Sequence, residues 1–233
     1  VIEEREHAHT CRALSSWADN DGIEVLGNPD PCSRVGIISF NIKDPSGNYL
    51  HHKFLTALLN DLFGIQSRAG CSCAGPYGHR LLNIDETTSE RYRSAVQQGH
   101  CGLKPGWCRI GLHWVMDTAE ADFVIDAVHF LAREGHQFLN LYEFDLATGT
   151  WSHKSAAGSL PEFSLDKALS NTEGEPATLS LQLRQQLYRH YLSEAQKMAD
   201  QLRNEPQAKL ALLDGDLADL QFFAMPEDDR STH

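Results

Sequence analysis

A loop that carries two cysteines after a strand-forming segment most constrains how this chain can fold. The loop, Cys71-Ser72-Cys73, follows a short β-like segment over residues 65–70. Apolar side chains at helical spacing predict an amphipathic helix over residues 49–63, and Gly64 is expected to end it as a C-cap. A further strand is predicted over residues 108–115. The cysteine loop is therefore expected to leave the end of a strand in a small sheet.

The remaining elements predict an α+β fold, with a small mixed β-sheet backed by helices. Helices are indicated by amphipathic spacing, and strands by β-branched and aromatic runs between turn residues. Helices are expected over residues 3–19, 89–98, 118–133, 179–203 and 207–213, strands over 23–26 and 35–42, and a hairpin over 138–144 and 151–154. The helix over residues 89–98 lies within an otherwise irregular insertion that spans residues 77–106.

The composition changes after Ser155, which predicts a second structural unit. Residues 156–176 are loop-like, with Gly and Pro punctuating the segment. We therefore expect a small domain over residues 1–155 and a mostly helical extension over residues 156–233. The acidic end of that extension, from Pro226 to His233, is expected to be mobile.

The overall charge excludes two classes of partner. The 233 residues carry a formal net charge of −12, and nucleic acids and anionic membranes favour clustered Lys and Arg instead. No apolar run is long enough to predict a membrane span, and no signal segment opens the chain at Val1. Six cysteines in a chain of this size, without a secretory signal, favour reduced thiols and a cytoplasmic location. Because the chain opens directly in a charged, helix-like segment, we expect a fragment or a processed chain.

Two motifs together resemble the C-terminal small domain of the class V aminotransferase family, the pyridoxal-phosphate enzymes that include cysteine desulfurases and selenocysteine lyases. Arg68, Gly70 and Cys73 fit the family's Arg-x-Gly-x-x-Cys loop. Arg109, 36 residues after Cys73, lies in Trp107-Cys-Arg-Ile-Gly-Leu-His113 and fits the strand that carries the family's carboxylate-binding arginine. The order, spacing and flanking elements make the pair specific, and the resemblance covers roughly residues 20–135.

The resemblance implies a role for four residues. Cys73 would accept sulfur as a thiolate, and Arg109 would hold the substrate carboxylate through two parallel donors. Arg68 would lie near the site, either as a second carboxylate ligand or as a cation beside the thiolate. Cys71 could be the nucleophile instead, a resolving thiol, or a loop residue without a role. The structural alternatives are a buried, inert Cys73 and an Arg109 that forms a surface salt bridge.

The family's cofactor site is not recognisable in this sequence. Ser152-His153-Lys154 resembles the tripeptide that carries the family's Schiff-base lysine, but it follows the arginine strand instead of preceding the cysteine loop. We interpret this match as chance, and no Gly-rich phosphate loop is present. The resemblance implies pyridoxal phosphate in a parent enzyme, held by an N-terminal large domain that acts on a small amino acid in a homodimer. This chain alone is expected to be inactive.

A non-enzymatic alternative is a zinc-binding or protein-interaction module. Its soft ligands would come from six residues of the loop and the insertion, namely Cys71, Cys73, His79, His100, Cys101 and Cys108. The Cys-x2-Cys pairs of structural zinc sites are absent, so no metal is expected. Four other histidines, His7, His9, His51 and His52, are expected to be exposed helix residues and not ligands.

Overall fold

The computed structural model describes residues 1–71, 75–155, 164 and 179–227. Six helices lie within these residues: α1 Ile2–Trp17, α2 His52–Phe63, α3 Gly75–Leu81, α4 Glu86–Gln97, α5 Thr118–Glu134 and α6 Leu181–Leu202. The strands are β1 Ile23–Val25, β2 Ile37–Ile42, β3 Arg68–Gly70, β4 Trp107–Gly111, β5 Tyr142–Asp145 and β6 Thr150–His153. No described helix is long and apolar enough to cross a membrane.

Four strands form the central sheet in the order β1-β2-β4-β3. All three pairings are antiparallel, and β5 and β6 form a separate antiparallel hairpin. The predicted α+β class is confirmed, although the sheet is antiparallel where the sequence predicted a mixed one. Strand β3 has only three residues, because residues 65–67 of the predicted strand are not part of the ladder.

The two faces of the sheet differ in burial because side chains alternate along each strand. Ile38, Phe40 and Ile42 of β2 are fully buried with Cys108 and Ile110 of β4 against the helices. The second face, hereafter the outer face, carries the alternate residues of the same strands. Helix α2 packs against β4 on the core side, and its end at Gly64 has the left-handed conformation that the sequence predicted (φ 66°).

The insertion between the cysteine loop and β4 is more regular than the sequence predicted. It contains helix α3 as well as α4, and Asp85 caps α4 by accepting a hydrogen bond from the Thr88 backbone amide (2.7 Å). Helix α3 lies on the outer face, because a Cβ atom on Gly78 would be 3.2 Å from the ring of Trp107. The insertion therefore covers one end of that face.

One predicted helix, over residues 207–213, is wrong. These residues are extended, and Leu210 forms an isolated bridge with Pro226. The backbone amide of Ala211 donates to Met225 O (2.8 Å), and the Gln221 side chain bonds to both Ala211 O and the Leu213 amide. A seven-residue helix is too short to be stable alone, and these tertiary partners satisfy the backbone in its extended form.

Helix α6 contributes to the core of residues 1–155. Its buried residues Ala195, Ala199 and Leu202 belong to the same apolar cluster as the sheet, and Tyr188 stacks on Phe123 at 4.4 Å. The predicted boundary at residues 155 and 156 stays a prediction, because residues 156–163 and 165–178 lie outside the described part of the chain. The same holds for residues 228–233 of the predicted mobile tail.

A buried carboxylate joins α5 to α6. Glu134 is only 4% exposed, and its oxygens accept hydrogen bonds from Arg203 (2.7 Å) and Arg133 (3.2 Å). Burial acts to raise the pKa of Glu134, but the hydrogen bonds from Arg203 and Gln196 outweigh it, so that the pKa is lower than usual. The ionised form is therefore the stable one in the folded protein.

Arg203→Met should lower the free energy of unfolding at pH 7 by about 1–3 kcal/mol, because it leaves a buried carboxylate with fewer donors. A lowered pKa contributes stability above the unfolded pKa and loses it as the pH falls through the folded pKa, so the deficit should shrink in acid. Urea unfolding at several pH values measures both effects. The control is Arg189→Met, an exposed arginine of the same helix. Equal stability of the two variants at pH 7 would contradict this account.

Candidate functional site

The two arginines that the sequence singled out lie side by side on the outer face. Arg68 of β3 is directly opposite Arg109 of β4, and Arg109 is also opposite Ser39 of β2. Directly opposed residues in an antiparallel pair have their Cβ atoms about 4.5–5.5 Å apart and point to the same face. Cys108 next to Arg109 is fully buried, so alternation places Arg109 on the opposite, outer side. Ser39, Arg109 and Arg68 therefore form one polar row, called here the arginine row.

The arginine row carries two positive charges, and no carboxylate of the described residues compensates them. Neither Arg68 nor Arg109 forms an ion pair or a side-chain hydrogen bond with any residue in the described ranges. Arg68 is exposed and Arg109 is half-buried. Like charges directly opposite each other across a sheet are destabilising, and an anion between them would remove the repulsion. The row can thus hold a carboxylate. The alternative in which Arg109 forms a surface salt bridge is not observed among the described residues.

The cysteine loop begins directly after Gly70, two residues beyond Arg68 of the arginine row. Gly70 closes β3 with φ 118°, a conformation that glycine favours, and it turns the chain away from β4. Cys71 follows it and is half-buried, with a reduced thiol. Residues 72–74, which include Cys73, lie outside the described residues, so the role and position of Cys73 stay a prediction.

Close backbone contact fixes the base of this loop. A Cβ atom on Gly106 would lie 2.7 Å from Gly70 Cα and 3.0 Å from His52 Nε2, so only glycine fits there. The ring of Trp107 is buried, and among the described residues its Nε1–H has no hydrogen-bond partner. A Cβ atom on Gly78 would lie 3.7 Å from Cys71 Cβ, which places α3 directly against the loop. The start of the loop is therefore held by β4, α2 and α3 together.

Two histidines at the start of α2 are buried, which corrects the prediction that they are exposed. His51 is 1% exposed, and its Nδ1 accepts hydrogen bonds from Trp151 Nε1 (3.0 Å) and the Lys53 amide (3.2 Å). Its Nε2 donates to Gly102 O (3.1 Å), an arrangement that requires the neutral ring. Burial, followed by the neighbouring His52, lowers the pKa of His51 well below its usual range.

His52, the first residue of α2, lies next to the base of the cysteine loop, because a Cβ atom on Gly106 would lie 3.0 Å from its Nε2. Burial, followed by the charges of Lys53 and Lys104, lowers the pKa of His52 to about 3, and its Nδ1 has no partner among the described residues. Sequence analysis missed both positions, although they continue the apolar stripe of Leu55, Leu58 and Leu59 at helical spacing. His9 is also buried, at 7% exposure, and His7 is half-buried.

The other candidate ligands are dispersed. Cys108 faces the core, where burial raises the pKa of its thiol to about 11, and Cys101 is exposed. Among the described residues, no three His, Cys, Asp or Glu side chains are grouped as a metal site requires. Lys154 follows β6, whose Trp151 packs on Phe54 of α2 at 4.6 Å. Helix α2 is on the core side of the sheet, so this lysine is in a different layer from the arginine row.

Comparison with known proteins finds similar solved structures. No family model matches the chain, and no curated protein matches it. One similar solved structure is the apo form of a cysteine desulfurase from Thermococcus onnurineus NA1, with 22% sequence identity and a TM-score of 0.41. The match covers 56% of this chain and 26% of that chain, so this chain spans about a quarter of the length of its structural neighbour. At this level of similarity the match carries no argument about the reaction.

Gly106→Ala should lower the free energy of unfolding by about 1–3 kcal/mol, because the new methyl group would collide with the backbone of Gly70. Gly111→Ala at the far end of β4, the strand that Gly106 precedes, is the matched control, since its Cβ atom would meet only an ordinary contact at 3.9 Å. Chemical denaturation of both variants measures the difference. Amide chemical shifts should change at Gly70 and Cys71 in Gly106→Ala alone. A variant as stable as the control would show that the loop base is not fixed by this contact.

Proposed function

We propose that this chain is the C-terminal domain of a pyridoxal-phosphate enzyme of the class V aminotransferase type, with cysteine desulfuration as its reaction. The arginine row carries the proposal. It places two guanidinium groups, neither of them in an ion pair with a described residue, on one face, next to the strand end at which the cysteine loop begins. The motif resemblance assigns Arg109 to the substrate carboxylate and Cys73 to the sulfur, and the geometry of the row supports the first of these roles.

Arg109 binds the carboxylate of a small amino acid in this proposal. A guanidinium group offers two parallel donors that match the two oxygens of a carboxylate, and this fixes the orientation of the substrate. Arg68, directly opposite, adds a second cation, and the Ser39 hydroxyl can donate one more hydrogen bond. An anion bound between the two arginines reduces their repulsion, so binding favours carboxylates over neutral analogues.

Cys73 accepts the sulfur. Its thiolate attacks the sulfur of the bound L-cysteine, a new S–S bond forms, and the C–S bond of the substrate breaks. The electron pair of that bond stays with the substrate carbon, which takes up a proton to give L-alanine, while Cys73 carries the persulfide. Cys71, two residues earlier and packed against α3, is the first residue of the loop and does not accept the sulfur in this proposal. Pyridoxal phosphate supplies the electron sink of this chemistry when it is bound.

The described residues of this chain do not fit a pyridoxal-phosphate site of the family type. Lys154, which has the right tripeptide context, lies with the β5–β6 hairpin on α2, away from the arginine row. We assign the cofactor to an N-terminal large domain that docks on the outer face. Val35 and Ile37 next to the row are 67% and 48% exposed, and Tyr77 of α3 is 59% exposed. These apolar side chains suit a face that another domain covers.

In a protein that carries both domains, Cys73→Ser should abolish sulfur release, with a loss on the order of 10³-fold or more, because a hydroxyl is a poor nucleophile at neutral pH. Alanine and sulfide formation from L-cysteine measure the effect, with L-selenocysteine in parallel. Cofactor absorbance should be unchanged. Cys71→Ser is the matched control and should lose much less activity.

The outcomes separate the parts of the proposal. If Cys71→Ser is dead and Cys73→Ser is active, the acceptor is Cys71. If neither variant differs from a wild type that shows no desulfuration, the reaction is wrong and a cysteine-independent branch of the family remains. A stoichiometric zinc ion in the purified protein, lost in both variants, would overturn the proposal in favour of a metal-binding module.

A further inference from the structure

A histidine and a cysteine one turn apart on α1 form a thiol–imidazole pair. Cys11 Sγ lies 3.3 Å from His7 Nε2, a distance at which a thiol hydrogen-bonds to a ring nitrogen. The i, i+4 spacing puts both side chains on one face of the helix. Cys11 is half-buried and reduced. The neighbouring imidazole can accept the proton of Cys11 when its sulfur reacts.

The connection between β1 and β2 runs along this part of α1. It contains a short 3₁₀ turn, Pro31–Ser33, and Cα atoms of the turn approach Cα atoms of α1 within 8 Å. The first residue of the turn and Leu14 of α1 line a common groove. Further along the connection, a Cβ atom on Gly36 would lie 3.4 Å from Glu6 Cβ. The turn is therefore followed by a segment that passes α1 between Leu14 and Glu6, the stretch that carries Cys11.

Cys32, the middle residue of the turn, adds a second thiol to the pair. Cys32 is exposed and reduced. The charge of Asp30 is the main cause that raises the pKa of the Cys32 thiol, and the charge of Cys11 adds to it, so the two sulfur atoms are within electrostatic range. The hydrogen bond from the Cys32 amide is the main cause that lowers the pKa of Asp30, and the charge of His7 adds to it. Packing and electrostatics thus bring two thiols and one imidazole together.

The two thiols have different surroundings. Cys11 has a base at hydrogen-bond distance, whereas Cys32 has the Asp30 carboxylate beside it. A carboxylate disfavours the thiolate, which is the form that attacks a disulfide. Cys11 is therefore the thiol that reacts first, and the exposed Cys32 is the thiol that attacks it afterwards. One activated thiol beside one resolving thiol is the arrangement that a reversible intramolecular disulfide requires.

We propose that Cys11 and Cys32 form a reversible disulfide by exchange with a low-molecular-weight disulfide of the glutathione class. The Cys11 thiolate attacks one sulfur of that disulfide, whose S–S bond breaks, and one small thiol leaves with the electron pair and takes the proton that His7 accepted. The Cys32 thiolate then attacks Cys11 Sγ and releases the second small thiol, which takes the proton of Cys32. Two protein thiols are oxidised, and one small disulfide is reduced to two thiols. The product joins α1 to the β1–β2 connection.

Oxidised glutathione tests the proposal on the full chain without any substitution. Trypsin cleaves after Lys and Arg, so Cys11 and Cys32 fall in separate peptides, residues 6–12 and 13–34, whose linkage mass spectrometry detects. We expect this linked pair to be the main oxidised product and dithiothreitol to remove it. Glutathione adducts without the linked pair, or linkage of either peptide mainly to another cysteine, would overturn the proposal. The assay reads neither carboxylate binding nor desulfuration, so its outcome is separate from the function proposed for the arginine row.

Substitutions test the order of the two steps. Cys32→Ser should stop at a mixed disulfide between Cys11 and glutathione, and Cys11→Ser should react at Cys32 roughly tenfold more slowly, because it lacks the neighbouring base. His7→Gln should slow disulfide formation roughly tenfold or more. The matched control is His190→Gln, an exposed histidine of α6, which should react like the wild type. A His7→Gln variant as fast as the control, or a Cys11→Ser variant that reacts as fast as Cys32→Ser, would contradict the proposal.

Discussion

The antiparallel pairing of β3 with β4 is the interaction on which the site depends. Its three residue pairs have separate roles. Arg68 is opposite Arg109 on the outer face, and Ala69 is opposite the buried Cys108. Gly70 is opposite Trp107 at the point where the cysteine loop begins. A slip of one residue would move Arg109 to the core side and bring Cys108 to the surface. Burial of Cys108 therefore fixes the register, and the register brings the two arginines together.

The two ends of the outer face lie in different environments. One end is open, carries the arginine row, and exposes Ile37 to solvent. The other end is covered by α3 and α4, which pack on Trp107 through Gly78 and enclose a cavity beside Asn41. This division follows from the insertion before β4 and not from the strands themselves.

Sequence patterns predicted the parts of the fold that depend on local periodicity. Helices α1, α2, α5 and α6 were predicted within a few residues of their ends, and Gly64 was predicted as a C-cap, because amphipathic spacing and capping are local signals. The helix over residues 207–213 was wrong because its partners are distant in sequence. His51 and His52 were predicted as exposed, since their burial depends on Trp151, Gly102 and Gly106, which only the fold brings to them.

The candidate site was partly predictable for a related reason. Motif order identified Arg68 and Arg109, but only the strand register shows that they are directly opposite each other.

The most direct test of the account is whether the arginine row binds a carboxylate. Arginine Nε–H signals of the labelled chain can be followed by NMR during titration with L-alanine. The matched control ligand is L-alaninamide, in which a neutral amide replaces the carboxylate. The account predicts saturable shifts of Arg68 and Arg109 with L-alanine alone, and no shift at the exposed Arg189 on α6. Equal responses to both compounds, or none at Arg109, would contradict it.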